Sequence, residues 1–152
     1  MSVKIQFLGG AGTVTGSKFL VDTGKTRIMV DCGVFQGLKE LRLLNWMPLP
    51  IDAASVDAVI LTHAHLDHTG YLPLFVKQGF RGHAYCTAPT KDLTQVILKD
   101  FAKIQEEDAE TANIKGCSKH KPARPLYDME DCQKGIGALT IAAANKWHHI
   151  GD

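Results

Sequence analysis

The sequence predicts an α/β chain of the α+β kind with one core, from three observations. Short β-branched and aromatic segments separated by glycine-containing turns open the chain. An apolar run, Val56 to Leu61, ends in a dense cluster of histidines. One long helical pattern spans Thr90 to Asn113. At 152 residues and 45% hydrophobic the chain can bury a core, and a second independent domain is not expected.

Val3 to Leu8, Lys18 to Asp22 and Arg27 to Val30 read as an antiparallel meander. The connection from Gly9 to Ser17 resembles a nucleotide loop only at first sight. Thr15 stands where a dinucleotide fingerprint has its third glycine, and no helix follows to hold a pyrophosphate. No Walker A is present, because Gly16 is followed by Ser17-Lys18. A segment with Leu38, Leu41 and Leu44 predicts a short helix that stops before Pro48. Val56 to Leu61 is the next strand, and Gly70 to Lys77 a helix with Pro73 in its first turn and Gly79 past its end. Ala84 to Cys86 is a brief strand. In the long helix Leu93, Val96, Ile97, Phe101 and Ile104 are expected on one face, and Gly116 closes it. Lys115 to Arg124 reads as a polar, basic loop and Asp128 to Lys134 as a short helix.

Charge excludes little and directs little. Seventeen Lys+Arg against sixteen Asp+Glu give a net charge of +1, too small a field to signal nucleic acid or membrane, although a local basic patch stays open. The start, Met1 to Leu8, lacks the apolar core of a signal peptide, and no run approaches a membrane span, so a cytoplasmic protein is expected. Cys32, Cys86, Cys117 and Cys132 form no CxxC pair, which argues for reduced packing residues.

Chemistry concentrates in His63-Ala64-His65-Leu66-Asp67-His68. Imidazoles and a carboxylate suit zinc, manganese or iron, and a strand entering a turn can fan them around one point. His63 and His65, two apart in an extended stretch, project to the same side and can reach one ion. Asp67 and His68 follow the turn and are free to face a second ion or to orient a water on the first.

With Thr62 before it and Thr69-Gly70 after it, this motif resembles the metal signature of the metallo-β-lactamase superfamily. Within that superfamily the chain is similar to the β-CASP group of RNA-processing hydrolases. The matching stretches are Phe7 to Gly10 with Gly12 to Ser17, Val30 to Gly37, Ile104 to Glu110, and Lys119 to Pro122 with Pro125 to Tyr127. They cover residues 1–136 and leave 137–152 as a divergent tail.

The resemblance implies a metallo-β-lactamase αββα sandwich, N-terminal half only. It implies a zinc-dependent hydrolase of phosphodiester bonds, in which His63 and His65 bind the first zinc and Asp67 and His68 the second. Asp67 would orient the nucleophile. Asp31, grouped with it as catalytic, matches an acidic motif that supports the metal loop, while a plain strand-end turn residue ahead of Gly33 is an equal reading. The family's further ligands lie downstream, so a complete site holds two Zn2+ and one or none is expected here, with little activity alone. RNA is the implied partner, together with a complementing C-terminal half or a homo-oligomer. Competing readings are a hydrolase of thioesters or lactams, and a non-catalytic partner-binding module.

The remaining candidates look ordinary. His83 is expected in a surface or packing role, and His120 with Lys119, Lys121 and Arg124 in a solvated charge run that could touch a phosphate backbone. His148 and His149 lie in a tail expected to fray. Trp46 and Trp147 show no base-stacking pattern.

Overall fold

The computed structural model describes residues 2–151. Its six strands form one sheet in the order β1-β2-β3-β4-β5-β6. β1 (Lys4–Gly9), β2 (Lys18–Asp22) and β3 (Arg27–Val30) make the expected antiparallel meander. The turn between β2 and β3 is fixed locally, since the Asp22 carboxylate accepts from the Gly24 amide at 2.7 Å and the Thr23 amide donates to the Thr26 carbonyl at 3.0 Å.

β4 (Ala58–Ile60), β5 (His83–Cys86) and β6 (Leu139–Ile141) then add in parallel, which requires a crossover between each pair. Those crossovers carry α2 (Leu66–Thr69), α3 (Leu72–Lys77), α4 (Ala88–Lys115) and α5 (Met129–Gly137), while α1 (Lys39–Leu44) and a 3-10 turn at Ala53–Ser55 lie between β3 and β4. The helices cover one sheet face, where Leu20, Met29, Val59, Ala84 and Leu139 pack beneath Leu72, Phe75, Leu98, Ala102 and Tyr127. The buried Tyr127 hydroxyl donates to the Gly70 carbonyl at 2.8 Å and ties the segment after α4 to the start of α3.

Several boundaries differ from the sequence reading, each for a local reason. The strand expected over Val56–Leu61 is only Ala58–Ile60, because Val56 closes the preceding 3-10 turn and Leu61 turns its amide to Tyr85 outside the ladder with β3. The helix expected to begin at Gly70 begins at Leu66 and is interrupted at Gly70-Tyr71, so the histidine motif itself enters a helix. α4 runs through Lys115 and ends at Gly116, whose φ of 61° is the left-handed conformation that closes helices. Its core face is Thr94, Leu98 and Ala102, whereas Leu93, Val96 and Ile104 are exposed. The tail contributes β6, and Gly151 comes to rest against Thr26.

The other sheet face is partly open, most so at β1. Phe7, Phe19, Val30, Ile60 and Tyr85 lie in one cross-strand row and Ile5, Val21, Ile28, Ala58 and His83 in the next. Phe7 is 64% and Ile5 59% exposed, and neither row holds Asp, Glu, Lys or Arg. A six-stranded sheet apolar on both faces needs a layer on each. Among the described residues helices cover only one face, as expected of half a sandwich. Among the described residues no helix is long and apolar enough to cross a membrane.

Candidate metal centre

The site forms where β3 and β4 end side by side. The Asp31 amide donates to the Ile60 carbonyl at 2.8 Å, so the residue after β3 sits beside the residues after β4. Asp31 has φ 59°, a conformation that Asp tolerates better than most side chains and that aims its carboxylate back under the histidine motif. Asp31 is 3% exposed and accepts from several groups. Its Oδ1 takes the Thr62 amide at 2.9 Å, the Thr62 hydroxyl bonds it at 3.0 Å, and its Oδ2 lies 2.7 Å from His68 Nδ1.

These contacts orient two of the histidines. A carboxylate only accepts, so His68 Nδ1–H donates to Asp31, which turns Nε2 toward Asp67 Oδ2 at 3.5 Å. The Thr62 hydroxyl gives its hydrogen to Asp31 and accepts from His63 Nδ1 at 2.9 Å, which turns His63 Nε2 toward His65 Nδ1 at 3.2 Å. Two donors bound to one tetrahedral zinc at about 2.0–2.1 Å lie about 3.3 Å apart. Both pairs match that spacing. The His63 and His68 rings, with centroids 4.0 Å apart, set the two pairs side by side. Among the described residues no three His, Cys, Asp or Glu donors converge to hold an ion unaided. The donor chemistry thus fits two half-sites, each of which needs further ligands.

Thr62 and Lys18 are functional neighbours that the sequence reading did not single out. Thr62 was legible only as the residue before the motif, since its role depends on meeting Asp31, 31 positions away. Lys18 is 1% exposed, with Nζ donating to the carbonyls of Gly33 at 2.6 Å and Gly16 at 3.1 Å, between the rings of Phe35 and Tyr71. Burial pulls its ammonium down to about 8 and pushes the neighbouring Cys32 thiol up to about 12. It fastens two loops that hold the site. The Ser17 amide donates to the Asp67 carbonyl at 2.9 Å and the Cys32 amide to the His68 carbonyl at 2.8 Å.

Other predicted positions stand apart from this cluster. His83 is exposed and bonded to the Thr140 hydroxyl at 3.0 Å, His120 sits in an exposed loop, and His148 Nε2 accepts no metal-site neighbour but faces the Ala143 carbonyl at 2.9 Å. Cys32, Cys86 and Cys132 are buried free thiols, and Cys117 is exposed.

Asp31→Asn tests the orienting role. The amide keeps the shape but offers one acceptor oxygen in place of two, so His68 or Thr62 loses its anchor. Zinc affinity is expected to fall about 10–100-fold with the fold intact. Zinc titration with a chromophoric competitor, alongside circular dichroism, would show it.

The family model for the metallo-beta-lactamase superfamily matches residues 11–111. The chain belongs to this superfamily. The superfamily is one of metal-dependent proteins, and the fold of this chain is that of the superfamily. A crystal structure of the metallo-beta-lactamase SMB-1 in a complex with mercaptoacetic acid aligns with a TM-score of 0.52 at 15% identity, covering 97% of this chain and 46% of that one. Curated relatives are RNA-processing and transcription proteins of the group that the sequence resembles. Ribonuclease TTHA0252 of Thermus thermophilus is 36% identical over 149 residues, 98% of this chain and 30% of its own length. Transcription termination factor FttA of Methanosarcina mazei is 39% identical over 162 residues, 99% of this chain and 25% of its own. The Integrator complex subunit 11 homolog of Dictyostelium discoideum is 35% identical over 130 residues, 78% of this chain and 18% of its own. The chain therefore spans less than a third of the curated relatives it matches.

Proposed function

We propose that this metallo-beta-lactamase chain supplies the first metal-binding half of a site that hydrolyses RNA phosphodiesters. One observation carries the reading. Two donor pairs, His63 with His65 and His68 with Asp67, stand at ligand spacing, with His63 oriented by Thr62 and His68 by Asp31. Zinc suits the donor set, with His63 and His65 holding one ion and Asp67 and His68 a second. Such ions supply Lewis acidity toward a phosphoryl oxygen and bring the pKa of water to about 7.

The chain's own residues supply orientation and proton handling. Asp31 keeps His68 turned to present Nε2, and through Thr62 does the same for His63. Asp67, with its main chain fixed by Ser17, is the group placed to align an attacking water and take its proton. The ribonuclease among the relatives supports RNA over thioesters or lactams and a cytoplasmic setting. The exposed Ile5 and Phe7 on the open sheet face support a complementing C-terminal half, or a second copy, as its cover.

Elemental analysis and RNA cleavage test this. The purified chain is expected to hold at most one zinc, weakly, with little turnover, and to cleave single-stranded RNA once a complementing half is added. Two tightly held zinc ions with robust turnover by the chain alone would refute it. In the complemented protein Asp67→Asn should lower kcat by about 10²–10⁴-fold and leave KM nearly unchanged. Equal losses in both would contradict a proton-handling role.

A further inference from the structure

We infer that the cleft between α1 and α4 binds nucleotides of a single-stranded RNA next to the bond that is cut. The inference rests on the RNA-hydrolase reading and assigns the surface that holds the strand.

The cleft has a volume of about 610 Å³ and is lined by residues distant in sequence: Lys39, Arg42 and Trp46 around α1, Phe101 and Asp108 on α4, and Arg124 in the loop after it. Lys39, Arg42 and Arg124 are exposed, and none is in an ion pair among the described residues. Against these three cations the lining has one carboxylate, Asp108. Trp46 is 58% exposed beside them, and Phe35 and Phe101 supply apolar wall. Cations beside an accessible aromatic ring are what a single strand needs, since phosphates meet the charges while an unstacked base lies on the ring. A duplex keeps its bases stacked and could not use the indole.

Position and rigidity support the same occupant. Gly33 packs directly against the Asp67 carbonyl, and Gln36, three residues on, lines the cleft. Three residues span at most about 10 Å, so the loop that packs on the donor site forms the cleft wall within that distance. The approach is fixed in place. The buried Asn45 side chain accepts from the Phe35 amide at 2.8 Å and donates to the Phe35 carbonyl at 2.9 Å, which clamps the end of α1 to the loop that leads from the site.

Fluorescence anisotropy with a labelled single-stranded oligouridylate, in chelator so that nothing is cut, tests the inference on the full chain. The double reversal Arg42→Glu with Arg124→Glu is expected to weaken binding at least tenfold and to reduce the slope of log K against log salt by about 1.4 or more. Trp46→Ala should lose about fivefold or more. Asp108→Lys should tighten binding, a gain that misfolding cannot mimic. Failure of the unaltered chain to bind overturns the inference. So does affinity that ignores both the reversal and Asp108→Lys, or polyglutamate competing as well as RNA irrespective of Trp46. Hydrolysis of bis(p-nitrophenyl) phosphate by the complemented protein separates the two readings. If it persists while RNA binding ignores these variants, the hydrolase reading stands and the cleft assignment falls.

Discussion

Gly33→Ala is expected to collapse the donor site and to cost more than about 3 kcal/mol of stability. A Cβ at position 33 would lie 1.6 Å from the Asp67 carbonyl oxygen, 2.0 Å from its carbon and 2.6 Å from the His68 nitrogen. All three are backbone atoms, so no rotamer change relieves the clash. Either the 31–37 loop or α2 must retreat. Retreat breaks the set of bonds at this junction, in which Gly33 donates to Ser17 at 3.0 Å, Ser17 to Asp67 at 2.9 Å and Cys32 to His68 at 2.8 Å. Urea denaturation and zinc titration should report the two losses together. Gly137→Ala is the control. A Cβ there meets nothing within 4 Å, and the residue lies in α5, so alanine should stabilise by about 0.4–1 kcal/mol through the unfolded chain. If Gly33→Ala retains wild-type stability and zinc affinity, the close approach of loop and helix is wrong.

The contrast between these glycines shows what a linear sequence carries. The meander and the histidine motif were legible because their signals are local: alternation, glycine turns, and donors one to five positions apart. The core face of α4 was not. Apolar residues alone pointed to Leu93, Val96, Ile97, Phe101 and Ile104; Phe101 does pack on the core, but the fully buried positions are Thr94, Leu98 and Ala102, two of them small enough to let the helix lie close. Asp31 stayed ambiguous in sequence for another reason. Its work depends on a positive φ and on partners 31 and 37 positions away. The cleft was equally hidden, since Arg42 and Arg124 meet only once α1 and the loop after α4 lie on opposite rims. Trp46 gained meaning from those neighbours.

Lys18→Met is expected to erase a rise in stability between about pH 8 and 9 that the unaltered chain should show. The buried Lys18 ammonium sits at about 8 in the fold, against 10.5 in an open chain. Between those values the unfolded chain binds more protons, so unfolding becomes harder as pH rises, by up to about 1.4 kcal/mol per pH unit. Cys32 acts in the other direction. Its thiol, pushed from 9.0 to about 12, keeps its proton in the fold while the unfolded chain loses one, so stability falls above about pH 9. Tyr71, raised by burial from 10.0 to about 12, steepens that fall above pH 10. The opposing trends, with Cys132 also raised from 9.0 to about 11, place the maximum near pH 9. Methionine has no proton to lose, so its profile should be flat to about pH 9 and then decline. At pH 7 the variant regains the cost of burying a charge, about 3 kcal/mol at most. It also leaves the Gly16 and Gly33 carbonyls without their donor, at about 1–3 kcal/mol each, and gives up the contacts with Phe35 and Tyr71. The losses outweigh the gain, and a net destabilisation of about 2 kcal/mol is expected. Urea midpoints for both proteins at pH 7, 8, 9 and 10 decide the matter. A rise that survives in Lys18→Met would move its origin to another group and remove Lys18 as the charged clamp beneath the site.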